Sequence, residues 1–326
     1  MASRAVLVTE FVPAEKLACL PRETPAPGPG EVRVIIAAAG LSFVDIMIAE
    51  GNYQVRPPLP FTPGSDFAGW IDAVGLGVSP ARIGERVCGA GFGGAMATEL
   101  VIPSDSAIVM PDTMTWDQGA VLTASYTTAY HALVHRGRLQ PGELLCVLGA
   151  AGAVGIAAIQ IGKALGATVI ASASTEEKQA AAVAAGADLA IDSSVEDWRA
   201  QLRAATGGRA PDVVVDTLGD RFTELALRSL AWNGRLLVIG FAAGKIPSIP
   251  TNLVLLKGVE LVGININQFS QNEPEKRLSM FPEIFRMHAE GFIRTPIDHA
   301  YPLERIGEAV ARVRQAPAGR VIVTMN

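Results

Sequence analysis

Leu144-Leu145-Cys146-Val147-Leu148-Gly149-Ala150-Ala151-Gly152-Ala153-Val154-Gly155 is the stretch on which the fold turns. Its first five residues are apolar and predict a buried strand; the run from the glycines on to Leu165 predicts a helix. Glycines at 149, 152 and 155 let the backbone approach an anion closely, and the helix start offers unpaired N–H groups and a positive dipole end. A tight turn in a non-binding domain is the plainer reading. The strand before and the helix behind favour a dinucleotide pyrophosphate.

Outward from this loop the chain keeps alternating. Strand-like runs at 168–171, 189–191, 213–216 and 235–239 are interleaved with helical runs at 176–185 and 222–231. That order predicts a parallel sheet with right-handed crossovers. Upstream, short strand-like runs at 5–8, 31–37, 68–74 and 86–88 are separated by glycine and proline, and 21–30 reads as a loop. They suggest a small, partly closed antiparallel β unit. Downstream, 259–266 is strand-like, 277–290 has helical spacing and 320–324 closes as a strand. The expected organisation is a discontinuous outer domain, residues 1–122 and 267–326, around a nucleotide-binding domain at 123–266.

The end of the second strand of the alternating region selects the cofactor. An Asp or Glu there would hold the ribose hydroxyls of NAD. This chain reads Ala171-Ser172-Ala173-Ser174-Thr175, with Lys178 one turn later. No acid repels a 2′-phosphate, Ser172, Ser174 and Thr175 can donate hydrogen bonds, and Lys178 adds a counter-charge. NADPH is therefore expected over NADH. The simpler reading, a helix N-cap at Ser174 or Thr175 beside a solvated lysine, is compatible with it.

The chain has 326 residues, 49% hydrophobic and 18% charged, which supports two folded domains rather than disorder. A formal charge of −5 and the lack of any Lys/Arg-rich run give no nucleic-acid footprint. No secretory h-region is visible, and the apolar run 35–41 is too short to span a bilayer, so the cytosol is expected and no membrane partner. Cys19, Cys88 and Cys146 are scattered and form no CxxC pair. His131 and His135 stand four apart on a predicted helix; packing is favoured over metal binding because no acidic residue completes a metal motif. No metal is expected.

Several motifs together carry a family resemblance. They are Pro60-Phe61-Thr62-Pro63-Gly64-Ser65-Asp66-Phe67-Ala68-Gly69 running to Ala73-Val74-Gly75, Gly84-Glu85-Arg86-Val87, the 149–155 loop, Gly234-Arg235 through Gly240-Phe241-Ala242, and Leu255-Leu256-Lys257-Gly258. Over nearly its whole length the chain resembles the medium-chain dehydrogenase/reductase superfamily. The resemblance implies an α/β fold: a Rossmann doubly wound parallel sheet domain plus a GroES-like, partly closed β-barrel catalytic domain. Zinc alcohol dehydrogenases of that superfamily carry Cys, His-Glu and Cys where this chain has Ser42, Ser65-Asp66 and Ala124. A hydroxyl, a hydroxyl and a methyl make no soft tetrahedral site. The resemblance therefore points to the zinc-free NADPH:quinone oxidoreductase (zeta-crystallin-like) branch.

Gly40-Leu41-Ser42-Phe43-Val44-Asp45 with Gly51-Asn52-Tyr53 is similar to that branch's substrate-pocket motif. The usual Asn is Ser42 here, and Met47 stands where one subgroup has Tyr. The resemblance implies catalytic roles for Ser42, Asp45 and Tyr53, with helix capping as the alternative for Asp45 and Ser42 and loop packing for Tyr53. It implies cofactor contacts from Phe43, Thr128, Gly149, Ala151, Gly152, Ala153, Val154, Gly155, Ser172, Ser174, Lys178, Thr217, Gly240, Phe241, Ala242, Ile264, Asn265 and Arg320. The expected reaction is hydride transfer from NADPH to a quinone or enone small molecule. An enoyl or acrylate-type double-bond reductase is the alternative, and a non-catalytic NADPH-binding structural or RNA-binding protein the reading from another class. A homodimer is expected, with 259–266 as its edge.

Overall fold

The computed structural model describes residues 3–53, 56–91 and 93–325. The chain forms two units, Met1–Ala124 with Thr295–Asn326, and the continuous segment Ser125–Arg294.

The outer unit begins with Arg4–Val6 (β1), paired antiparallel with Cys19–Pro21 (β2). Glu31–Leu41 (β3) is its spine, with alternating residues Val32, Val34 and Ile36 buried, as a half-covered strand requires. Phe43–Ala49 (α1) follows, then Asp66–Val74 (β4), Arg86–Ala90 (β5), Glu99–Pro103 (β6) and Ile108–Val109 (β7). β3 pairs antiparallel with β4 and with β6. The passage between units falls within Trp116–Tyr130 (α2), which continues into a π-helical turn at His131–Arg136.

In the second unit Leu144–Leu148 (β8) is buried at every position, which accounts for its unbroken apolar run. Ala153–Ala164 (α3), Thr168–Ala173 (β9), Glu176–Ala184 (α4), Leu189–Asp192 (β10), Trp198–Ala205 (α5), Val213–Asp216 (β11), Asp220–Ser229 (α6), Arg235–Val238 (β12), Thr251–Lys257 (α7) and Glu260–Gly263 (β13) follow in turn. Among the described residues the strands form one parallel sheet in the order β10-β9-β8-β11-β12-β13. That is the 3-2-1-4-5-6 order of the dinucleotide-binding sheet, with its reversal between β8 and β11. Trp198, fully buried, anchors α5 beneath β9 and β10 in a core with Ile170, Ile191 and Leu202.

Two expectations are corrected here. The last strand of the sheet ends at Gly263 rather than 266. Asn265 is extended, and its side-chain oxygen accepts the N–H groups of Asn267 and Gln268, which starts Ile266–Asn272 (α8). Residues 267–294, including Pro274–Leu278 (α9) and Met280–Ala289 (α10), group with the second unit rather than the outer one. The physical reason is a pair of long-range contacts: Phe269 stacks on His131, ring centroids 3.9 Å apart, and Gln160 of α3 holds the Arg294 backbone.

The chain then completes the outer unit with Ile297–Pro302 (β14), Ile306–Arg314 (α11) and Arg320–Thr324 (β15). Its main sheet runs β14-β15-β3-β4-β5-β7, with β6 also on β3. Val32, Val34, Ile36, Phe67, Val87 and Val323 meet in its core.

Candidate functional site

Because all six strands of the second unit are parallel, their carboxyl ends share one edge of the sheet, where open α/β sheets bind ligands. Gly149, Ser174, Thr217, Gly240–Ala242 and Ile264 all lie just beyond strand ends on that edge. Gly149 has φ +66°, and a Cβ there would stand 2.4 Å from Thr217 Oγ1. Gly155 has no room for a Cβ either: the Gly149 carbonyl oxygen would be 2.3 Å away and Ala150 Cα 2.8 Å. Gly152 is the N-cap of α3 and supplies no capping side chain. The first-turn N–H groups of Ala153, Val154 and Gly155, with Ala151 just ahead of them, therefore form a bare helix start. Its backbone and dipole suit a pyrophosphate, so the residues present fit a dinucleotide.

Thr217 Oγ1 donates to the Leu148 carbonyl at 3.0 Å, joining the ends of β8 and β11 across the reversal. Asp216, fully buried, accepts the Leu218 and Gly219 N–H groups at 2.9 Å each and the Thr223 hydroxyl at 2.6 Å, which fixes the turn after β11. The Ala242 N–H donates to the Thr217 carbonyl at 3.0 Å, bringing Gly240, Phe241 and Ala242 beside Thr217. Ile264 is buried, its N–H bonded to the Val238 carbonyl, and Asn265 is occupied as a helix cap. Thr128 is buried on α2.

The residues assigned to a 2′-phosphate separate. Ser174 is exposed after β9, and Lys178 is half-exposed on α4. Thr175 caps α4, its hydroxyl accepting the Lys178 N–H. Ser172 has no exposure at all, and its hydroxyl accepts the Trp198 indole N–H at 2.8 Å. Ser172 is thus a core residue rather than a cofactor contact, because β9 is covered on both faces, Val169–Ala173 all being buried, while Ser174 lies beyond its end.

In the outer unit, Ser42 N-caps α1 and shares a capping box with Asp45. Asp45 is buried and accepts from the Ser42 N–H at 2.8 Å, the Ser42 hydroxyl at 2.6 Å and the Ser65 hydroxyl at 2.5 Å. The neighbouring Asp66 is also buried; it accepts the Ala124 N–H at 2.8 Å and faces Arg320 Nη2 at 3.4 Å. Burial pushes the Asp66 carboxyl up to about 6, against the lowering pull of Arg320 and the Ala124 N–H and with Asp45 adding repulsion. Arg320 therefore answers a buried carboxylate of its own unit rather than a phosphate. Phe43 is half-exposed on α1, and Tyr53 is part-buried in the bend after it. The positions that carry Cys, His-Glu and Cys in zinc enzymes hold this network of hydroxyls and carboxylates.

Other reactive side chains are quiet. Burial pushes the Cys146 thiol up to about 12. His131 and His135 sit in the π-helical turn with their Nδ1 atoms 3.2 Å apart; burial first, then His135, brings His131 down to about 4, so it is neutral. Among the described residues no three His, Cys, Asp or Glu side chains gather as metal ligands. Sequence reasoning does not single out Gln160, whose partners are 34 and 134 residues away.

A parallel 3-2-1-4-5-6 sheet with a bare, glycine-lined helix start defines a dinucleotide-binding protein of the two-domain oxidoreductase class. The sequence model of zinc-binding dehydrogenases matches residues 153–282, and that of the alcohol dehydrogenase GroES-like domain matches 28–112. Quinone oxidoreductase-like protein 2 of Mus musculus is 35% identical, over 99% of this chain and 92% of its own length. A mycobacterial protein solved in complex with NADPH superposes with a TM-score of 0.89 at 28% identity, covering 99% and 100% of the two chains. The enoyl reductase CurK superposes with a TM-score of 0.89 at 25% identity, covering 100% of each. The chain belongs to the quinone oxidoreductase branch of the medium-chain dehydrogenase/reductase superfamily, with its Rossmann-like and GroES-like domains.

Proposed function

We propose that this protein is a zinc-free, NADPH-dependent reductase of a quinone or a related electron-poor carbonyl compound. The observation that carries the reading is the bare α3 start at the sheet reversal, with Ser174 and Lys178 where an NAD-selecting acid would stand. The mycobacterial relative solved with NADPH supports the choice of cofactor. The zinc-free reading rests on Ser42 and Ser65, whose hydroxyls donate to Asp45, and on Asp66, which faces Arg320. That donor set is poor in the soft ligands zinc prefers.

When bound, NADPH supplies a hydride from C4 of its nicotinamide, and the acceptor takes up that hydride and a proton from water. The protein's part is placement. Ala153, Val154 and Gly155 hold the pyrophosphate on their N–H groups, while Thr217 and Gly240–Ala242 line the nicotinamide side with Thr128. Ser42 directs its proton to Asp45, so Tyr53 is left as the side-chain donor to the acceptor oxygen. Asp45 positions Ser42 and Ser65 rather than transferring protons.

The enoyl reductase neighbour and the Ser42 and Met47 departures favour an α,β-unsaturated carbonyl as the second reading. A homodimer is supported by the exposed apolar side chains of Leu255, Leu256 and Leu261 around the edge strand β13. Cys19, Cys88 and Cys146 are scattered along the chain and form no CxxC pair, which suits a reducing cytosol. Anaerobic NADPH and NADH oxidation with paired quinone and enone panels tests the function. NADPH-only turnover supports it, the faster panel names the acceptor class, and absence of NADPH binding overturns it. A monomer in light scattering rejects the dimer.

A further inference from the structure

Gln160 is a buried polar side chain in the middle of α3, and every polar atom of its amide is used. Its Oε1 accepts the Arg294 N–H at 3.0 Å, and its Nε2 donates to the Arg294 carbonyl at 2.8 Å. This backbone pair fixes which end of the amide is oxygen. Oε1 also lies 2.8 Å from the Tyr126 hydroxyl, so the phenol is the donor. Tyr126 is the second residue of the Ser125–Arg294 segment and Arg294 is its last, so one amide fastens both chain ends of the unit to α3.

We infer that Gln160, acting through Tyr126, is a positioning residue that sets the nicotinamide side of the cofactor site against its pyrophosphate side. The inference rests on the NADPH reading above. Gln160 lies about 12 Å along α3 from Gly152, more than two turns beyond the pyrophosphate start. Tyr126 lies two residues before Thr128 on α2. The Tyr126–Gln160 bond thus links the helix that carries the phosphate anchor to the helix that carries Thr128. Hydride transfer is steep in distance: an error near 1 Å lowers the rate about 100-fold. Affinity, held mostly at the phosphates, is far less sensitive.

The test compares the full-length protein with Tyr126→Phe, which removes one hydroxyl, and Gln160→Leu. Three quantities are read: NADPH affinity by fluorescence, hydride-transfer rate at saturating NADPH in single turnover, and amide exchange across residues 125–130 without cofactor. The expected result is an NADPH Kd within about threefold of wild type, a rate lowered about 10-fold in Tyr126→Phe and further in Gln160→Leu, and faster exchange in 125–130. Unchanged rate and exchange in Tyr126→Phe overturn the inference, as does a raised Kd with an unchanged rate at saturating NADPH. If Gln160→Leu does not fold, Tyr126→Phe alone decides. A wild-type protein that does not bind NADPH overturns the cofactor reading instead, a result visible before any variant is made.

Discussion

Asp66 Oδ2 and Arg320 Nη2 lie 3.4 Å apart, both withdrawn from solvent, yet the carboxyl is harder to ionise than in water. Its affinity for the proton is raised by burial more than the guanidinium lowers it. With the folded value near 6 and the unfolded value near 4, the folded protein binds more proton between those limits. The contribution of Asp66 to stability is thus greatest below about pH 4 and declines as pH rises through about 6.

Asp66→Asn removes that slope. The variant's stability relative to wild type should therefore rise by up to about 3 kcal/mol between pH 4 and pH 7.5. Denaturant unfolding at the two pH values measures it; a relative stability that falls with pH refutes the assignment.

Gly152 and Gly155 should respond differently to substitution. Gly152 has φ −74°, ordinary for any residue, and stands at an N-cap, where aspartate is favoured. Gly152→Asp should therefore fold with an equal or higher Tm while binding NADPH about 30-fold more weakly or worse, through repulsion of the pyrophosphate. Gly155→Ala meets backbone on two sides and should lose both stability and binding. Thermal melts with and without NADPH separate the two; a Gly152→Asp protein that binds normally removes the loop from the site.

Ser172 and Lys178 make a second contrasting pair. Ser172→Ala strips the Trp198 indole of its acceptor and should cost about 1–3 kcal/mol with no change in NADPH-to-NADH preference. Lys178→Ala should lower that preference about tenfold with little effect on Tm. Paired kcat/KM values for the two cofactors give the readout, and a preference shift in Ser172→Ala would return that residue to the site.

Tyr53→Phe should lower kcat about 10-fold, leave the NADPH Kd unchanged and leave the fold intact. Equal turnover with the best acceptor shows that the phenol has no chemical role.

Much of this architecture was legible in residue order. The continuous burial of Leu144–Leu148 and the glycines after it have short-range causes, and strand and helix periods are local too. What escapes the sequence has long-range causes. Nothing around Ser172 announces Trp198, so an exposed donor and a buried acceptor look alike. Arg320 meets Asp66 across 254 residues, and Asn265 reads as strand until its side chain is seen capping α8. The place of 267–294 depends on Phe269 lying against His131, which no local pattern encodes.

The pairing of β15 with β3 carries a consequence for how the protein is made. Val321–Thr324 zips antiparallel onto Ala38–Leu41, so the spine of the outer unit lacks its last partner until β15, which follows the whole of the second unit, has been made. The parallel sheet draws its strands from one continuous stretch and can assemble meanwhile. During that interval the Ala38–Leu41 end of β3 is an open edge, since β4 and β6 cover the rest, and a nascent chain arrested before β15 would expose it to chaperones or to other nascent copies.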